Sequence, residues 1–409
     1  MARVLRTLED EALGPSVERL GADLAAAIES APAGDRGDGH DLARAWIHVL
    51  VALGGDLRPV PADLRGVVAR ELACVLAADG LRTSPLLGRD VDYSAFRPSA
   101  AYASGRRRCW FQRLVWAGSV GFRMNGIEGA AARHLARALD RAGARERRRD
   151  LVAAIQFFSG AAADLDLEEL DSPAPPDPDR LPIGEPGAEP EVHLLPRRSL
   201  PDAFILQELA HPRVGDAVRP RLFPSGLDVW SVFGSPRARA ALRSGGAEDF
   251  AGYPEAKLAL AERFAPLYPF EARRWGRTLY WGRLHAARPL LDLDLEAPCA
   301  FERTEAWADR RLQACLGSWV DAQAGEPGTE SRTGTGPMPA GGVLLPPPVF
   351  FARLEALAAM AREGILSRAA LREGLGRPGR AGDPLLLLDR LERLLGRCRE
   401  VGTASREGR

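Results

Sequence analysis

Residues 301–321, FERTEAWADRRLQACLGSWVD, read as an amphipathic helix, and that reading decides the fold class. Trp307, Leu312, Leu316 and Trp319 recur at helical spacing and predict a face packed into a core. Glu302, Glu305, Asp309, Arg310 and Arg311 supply the polar surface. The stretch that follows, AQAGEPGTESRTGTGPMPAGG at 322–342, is too rich in Gly, Pro and Thr for a packed helix and reads as a long loop.

The same pattern extends outward in both directions. On the N-terminal side, 253–289 reads as two helices or one broken helix, with Trp275, Leu279 and Leu284 packing and Tyr280 and Trp281 facing different ways. LFPSGLDVWSVFGSPRARAAL (222–242) carries a Pro-Ser-Gly turn and a Ser235-Pro236 helix start. PDAFILQELAHP (201–212) has a helical centre. Residues 171–200 are rich in Pro and acidic residues and read as a long crossing, with 191–195 able to form a short edge strand. Further back, 106–124, 58–80 and 42–53 read as helices, the last with His48 on its apolar run as a core histidine. Residues 3–29 read as a helix interrupted at Gly14-Pro15 and restarted by Ser16 as a cap. On the C-terminal side, 344–364 and 383–402 read as two more helices.

Composition agrees with this pattern. The chain has 409 residues, 46% hydrophobic and 27% charged, which suits a packed globular protein. Its 55 basic and 55 acidic side chains cancel, so no global field draws it to nucleic acid. Five scattered cysteines without a close pair read as reduced and mostly buried. Acidic residues interrupt the N-terminal stretch where a signal peptide needs an apolar run, and no stretch suits membrane insertion. The expected location is the cytoplasm.

The favoured architecture is mainly α: a large domain of stacked antiparallel helices, with an α/α-toroid-like arrangement as one form and short strands in long loops. Residues 1–89 read as a helical region packed on the main domain, 90–360 as its core, and 361–409 as a helical extension. A two-lobed protein divided near 171–200 is the alternative.

Chemistry is harder to find. There is no phosphate loop, dinucleotide fingerprint, metalloprotease motif or nucleophile elbow, and the six histidines form no ligand-spaced cluster. No metal or cofactor is therefore expected. Asp92, Asp202, Asp228 and Asp309 are the carboxylates placed in structured sequence, and a pair of them can divide acid and base work. Tyr102, Arg113, Gln207, Arg274, Trp307 and Trp319 are candidates to line a binding cleft.

Taken in order, FRPSAAY, CWFQRLVWAGSVGFR, LPDAFILQEL, LFPSGLDVWSVFGSPRA, LYWGRLHAARPLL and the 301–321 helix resemble the DUF3160 family of uncharacterised bacterial proteins. Phe96, Pro98 and Tyr102 match one family pattern; Pro201, Asp202 and Gln207 match a second. Gly226, Leu227, Asp228 and Gly234 match a third, and Trp307, Leu312, Leu316, Gly317, Ser318 and Trp319 a fourth. Members that this chain resembles continue after the last motif with a polar RHDT…KQ-like run, and many are exported. Here Val320, Asp321, Ala322, Gln323, Ala324 and Gly325 stand in its place. The resemblance therefore implies a non-catalytic binding or scaffold protein on an enzyme-like fold, with an unidentified small molecule, peptide or protein as partner. A hydrolase using carboxylates in an inter-helical cleft is the alternative.

Overall fold

A computed structural model describes residues 2–99, 102–170, 180–181, 189–198, 200–265, 275–291, 297, 299–323, 347–372, 375 and 383–406. The chain is mainly helical, with short strands in its loops. It forms two compact units. The first comprises Met1–Gln156, Ala161–Arg198 and Ile365–Pro384; the second Phe157–Gly160, Ser199–Gly364 and Leu385–Arg409. The main division falls between Arg198 and Ser199, at the end of the Pro-rich stretch, and residues 1–89 share the first unit with 90–156.

In the first unit the helix Ala2–Leu8 runs through a π-helical turn, Glu9–Leu13, into Gly14–Glu29. Pro15 therefore does not break the helix: it lacks the N–H an α-helix would use, and the widened turn absorbs the gap. Ser16 is not the expected cap, since its hydroxyl donates back to the Ala12 carbonyl at 2.8 Å.

The core of this unit is built on Trp46 from the helix Asp38–Ala52. Its indole N–H donates to the Val120 carbonyl at 2.9 Å, and the Trp116 indole donates to the Trp46 carbonyl at 3.2 Å. Trp116 and Phe122 each lie 5.7 Å from the Trp46 ring, and Phe96 closes the cluster against Trp116. Large rings fill the volume while their polar handles are satisfied by backbone. His48 is a core histidine, with its Nε2 2.9 Å from Glu29 Oε1.

Buried charge organises the periphery of the unit. Glu71 accepts from Ser84 Oγ at 2.8 Å, from the Leu86 N–H at 3.1 Å and from the Tyr93 hydroxyl. It thereby fastens the hairpin Leu81–Thr83/Asp90–Asp92 to the helix Arg65–Ala77. The strand Glu191–Val192 pairs antiparallel with Phe122–Arg123, so the end of the Pro-rich stretch does contribute an edge strand. Arg148, fully buried, donates to the Leu194 carbonyl at 2.8 Å and grips Asp166 at 2.9 and 3.1 Å. Asp164 holds Arg197 at 2.8 Å and lies 3.2 Å from the buried His193 ring.

The second unit has an aromatic core. Phe233 sits among Trp230, Phe264, Trp275 and Trp281 at ring separations of 5.9 to 6.3 Å. Trp275 meets Trp281 edge-on at 5.1 Å. Ser235 caps the helix Pro236–Ser244 by accepting from the Ala238 N–H at 3.2 Å, as the Ser-Pro pair predicts. The 301–321 stretch resolves into a short turn, Ala300–Arg303, and the helix Glu305–Gln323, capped by Thr304. Its tryptophans are not core residues. Trp307 is half-buried, lying against Phe301 with Arg310 over its ring, and the buried positions among the described residues are Ala308, Arg311, Leu312 and Cys315, so Arg311 does not belong to the polar surface expected of it. Among the described residues no helix is long and apolar enough to cross a membrane.

Two outcomes follow from this packing. Trp46→Ala is expected to lose about 3–5 kcal/mol in denaturant unfolding and Trp307→Ala under about 1.5, the second less than a core tryptophan would lose. Burial alone pushes the Asp164 and Asp166 carboxyls up. His193 and Arg197 outweigh it for the first and Arg148 for the second, so both end below the usual carboxylate range. Their stabilisation is complete above the unfolded pKa of about 4 and is lost as pH falls through the depressed folded values. Unfolding free energy measured from neutral to acid pH is expected to fall less steeply in Asp166→Asn than in the wild type.

Candidate functional site

Asp202 is the second residue of the helix Pro201–Glu208, whose proline start suits the first turn of a helix. Its carboxylate is buried. Oδ1 accepts the Ala203 N–H at 3.0 Å, and Oδ2 accepts the Trp319 indole N–H at 2.7 Å together with the Tyr280 hydroxyl. Three helices, Pro201–Glu208, Leu279–Ala287 and Glu305–Gln323, thus meet at one carboxylate.

The two rings held by Asp202 are walls of a cavity of about 170 Å³. Trp230, Leu284, Phe350 and Leu354 complete its apolar lining, with Arg283 and Ser318 as its polar edge; Asp202 stands behind the rings and not among the lining residues. Arg283 donates to the Ser318 carbonyl and lies 3.3 Å from its hydroxyl, tying two of the helices together beside the opening. Cys315 also lines the cavity. Burial pushes its thiol up to about 12, and its Sγ lies 3.7 Å from the Ala287 carbonyl, so it is a neutral wall and not a thiolate nucleophile.

The spacing of these residues carries a signal that a search for polar motifs passes over. Tyr280, Arg283, Leu284 and Ala287 fall at i, i+3, i+4 and i+7 of one helix, Cys315, Ser318 and Trp319 at i, i+3 and i+4 of a second, and Phe350 and Leu354 at i and i+4 of a third. Each set is one helix face.

The remaining candidates are dispersed. Asp92 belongs to the first unit and is exposed, where it accepts the Ser94 N–H at 2.9 Å as a cap. Tyr102, also in the first unit, donates to Glu9 Oε1 at 2.8 Å. Arg113 is spent on the Leu50 and Val51 carbonyls at the end of a buried helix. In the second unit, Asp309 and Glu305 share Arg237 on the surface, with Asp309 in a two-pronged pair at 2.6 and 2.7 Å. Gln207 donates to Glu208 at 3.2 Å, and Arg274 lies outside the described residues. Asp202 and Trp319 come together, joined by the indole N–H at 2.7 Å. Among the described residues no group of three or more His, Cys, Asp or Glu side chains is arranged to hold a metal ion.

Asp228 is wholly buried and is a brace. Arg221 donates to both its oxygens at 3.0 and 2.9 Å, Tyr253 donates its hydroxyl at 2.8 Å, and the Ser225 N–H donates at 2.7 Å to complete a capping box. The carboxylate in turn pushes the Tyr253 hydroxyl, already raised by burial, further up. Asp228→Ala leaves a buried guanidinium without its partner, so a loss of about 3–5 kcal/mol in denaturant unfolding is expected. The double replacement Asp228→Leu with Arg221→Met is expected to recover most of it.

A family model described as "Protein of unknown function (DUF3160)" matches residues 2–174 and 184–377. No curated protein and no solved structure matches the chain.

Proposed function

The chain belongs to the DUF3160 family, and from that premise we propose that it is a non-catalytic binding protein whose recognition element is the aromatic cavity of the second unit. The observation that carries this reading is the position of Asp202. Its oxygens are engaged by Tyr280, Trp319 and Ala203, and it turns two ring surfaces, not a carboxylate, toward the cavity. A general acid or base must touch the proton it moves, whereas a carboxylate behind the wall orients the wall. Arg283, the charged group at the edge, is drawn to Ser318.

Size sets the kind of group that fits. A cavity near 170 Å³ compares with one of roughly 150 Å³ that accepts benzene, so a phenyl ring or a branched aliphatic group is the natural occupant. Burying about 100–150 Å² of apolar surface contributes roughly 2.5–4 kcal/mol, which suits one anchoring group of a larger partner. The replacement of the family's polar run by Val320 and its neighbours agrees with a site that recognises by shape and burial.

Toluene serves as the probe. Saturation-transfer NMR is expected to show it binding to the wild-type chain and not to Ala287→Phe, in which the new ring occupies the cavity. Asp202→Ala, which removes the acceptor that orients Tyr280 and Trp319, is expected to weaken binding several-fold. Toluene that ignores the wild-type protein, or binds Ala287→Phe equally, refutes the proposal.

A further inference from the structure

The first unit carries a groove of about 760 Å³ lined by the starts of three helices. Asp38, Asp41, Leu42 and Ala45 fall at i, i+3, i+4 and i+7 of Asp38–Ala52 and share one face. Leu64 and Val67 come from the start of Arg65–Ala77, and Ile127 and Glu128 from the start of Gly126–Arg141. Leu86 and Leu87, in the turn between the strands Leu81–Thr83 and Asp90–Asp92, add to the apolar lining. The walls are fixed in advance. Gly39 lets Asp38–Ala52 and Gly126–Arg141 approach closely, since a Cβ there would lie 2.6 Å from the Ala130 Cβ and 3.1 Å from its carbonyl carbon. The Leu86 N–H donates to Glu71 at 3.1 Å and the Leu87 N–H to Ser84 Oγ at 3.0 Å.

Much of this lining is left uncovered: Ala45 and Leu64 are buried, but Leu42, Val67, Leu86 and Leu87 are only half-buried and Ile127 is 52% exposed. The charge at the groove has one sign. No lysine or arginine is among its lining residues. Glu128 accepts the Arg123 N–H at 2.9 Å and pairs with Arg89 at 3.1 Å, so its charge is already met. Asp38 and Asp41 are exposed on the same helix face, and among the described residues no Lys or Arg meets either; Asp41 has the His40 ring at 3.3 Å. Elsewhere in this unit Asp10, Asp23, Asp63, Asp140, Asp164 and Asp166 each hold an arginine. An apolar trough edged by uncompensated carboxylates repels nucleic acid and anionic membrane and attracts a cationic partner.

We propose that this groove docks a cationic amphipathic segment of a partner protein, its large apolar side chains against Leu42, Val67 and Leu87 and its Lys or Arg beside Asp38 and Asp41. Small-molecule sites enclose most of their ligand, whereas a groove that leaves Ile127 half exposed would leave a small amine wet. A chain segment covers such a lining with successive side chains of one face. Walls held by Gly39, Glu71 and Ser84 need no ordering when the segment arrives, which keeps the entropic cost of association low. The groove is built from first-unit residues alone, so the inference does not rest on the aromatic cavity of the second unit.

Fluorescence anisotropy of the full-length chain with a labelled amphipathic helical peptide of leucine and lysine tests it. The wild type is expected to bind this peptide and not its counterpart with glutamate in place of each lysine. Asp38→Asn combined with Asp41→Asn is expected to raise the dissociation constant at least about 10-fold, and Ile127→Ser to raise it several-fold. Circular dichroism and toluene binding are expected to stay unchanged in both variants. A wild type that does not bind the lysine peptide, equal binding of the glutamate peptide, or binding that either variant leaves unchanged overturns the inference. Octylammonium that binds the groove as tightly as the peptide overturns it as well, by assigning the site to a small amine.

Discussion

A carboxylate withdrawn from water must be surrounded by donors, and Asp228 meets that demand with Arg221, Tyr253 and the Ser225 amide. Much of the second unit depends on how that demand is met. Arg221 lies in the loop 211–225, Tyr253 opens the helix Tyr253–Arg263, and Ser225 starts the helix that carries Trp230 and Val232 into the aromatic core. Remove the carboxylate and three segments lose their common point. Its value lies in geometry more than in net energy, because the desolvation of a buried pair offsets most of its attraction.

The same logic is repeated with different partners. Glu71 uses hydroxyls and an amide to secure a hairpin, Arg148 uses a carbonyl and Asp166 to secure the 189–198 segment, and Asp202 uses two aromatic donors to secure three helices. In a chain with equal numbers of acidic and basic residues, most charge is expected at the surface. A few charged groups are instead placed inside as junctions between elements. Asp202 differs from the others in consequence. Two of its partners, Tyr280 and Trp319, line a cavity, so the junction also fixes the walls of that cavity.

Helix content and much of the helix placement were legible in the chain, because 3.6-residue periodicity is a local property. The Ser235-Pro236 start and the buried role of His48 were legible for the same reason. The π-helical passage through Pro15 was not, since a proline reads locally as a break and only the continuation of the helix on both sides keeps it intact. Trp307 and Trp319 were misread as core because size and apolarity do not reveal which face of a helix a neighbour covers. In the fold Trp307 leans on its own turn, and Trp319 turns its N–H to a carboxylate 117 residues away in sequence.

Of the carboxylates singled out by sequence, each is ionisable and each sits in ordered sequence, so nothing local separates them. Tertiary structure makes Asp92 a cap, Asp309 a surface partner of Arg237, Asp228 a brace and Asp202 the support of a cavity. The chain by itself determined a mainly helical protein, its family and its principal helices, because periodicity, capping residues and ordered motifs are written along the backbone. The meeting of Tyr280, Trp319 and Asp202 was decided only by packing, since it depends on which distant helix faces are brought together.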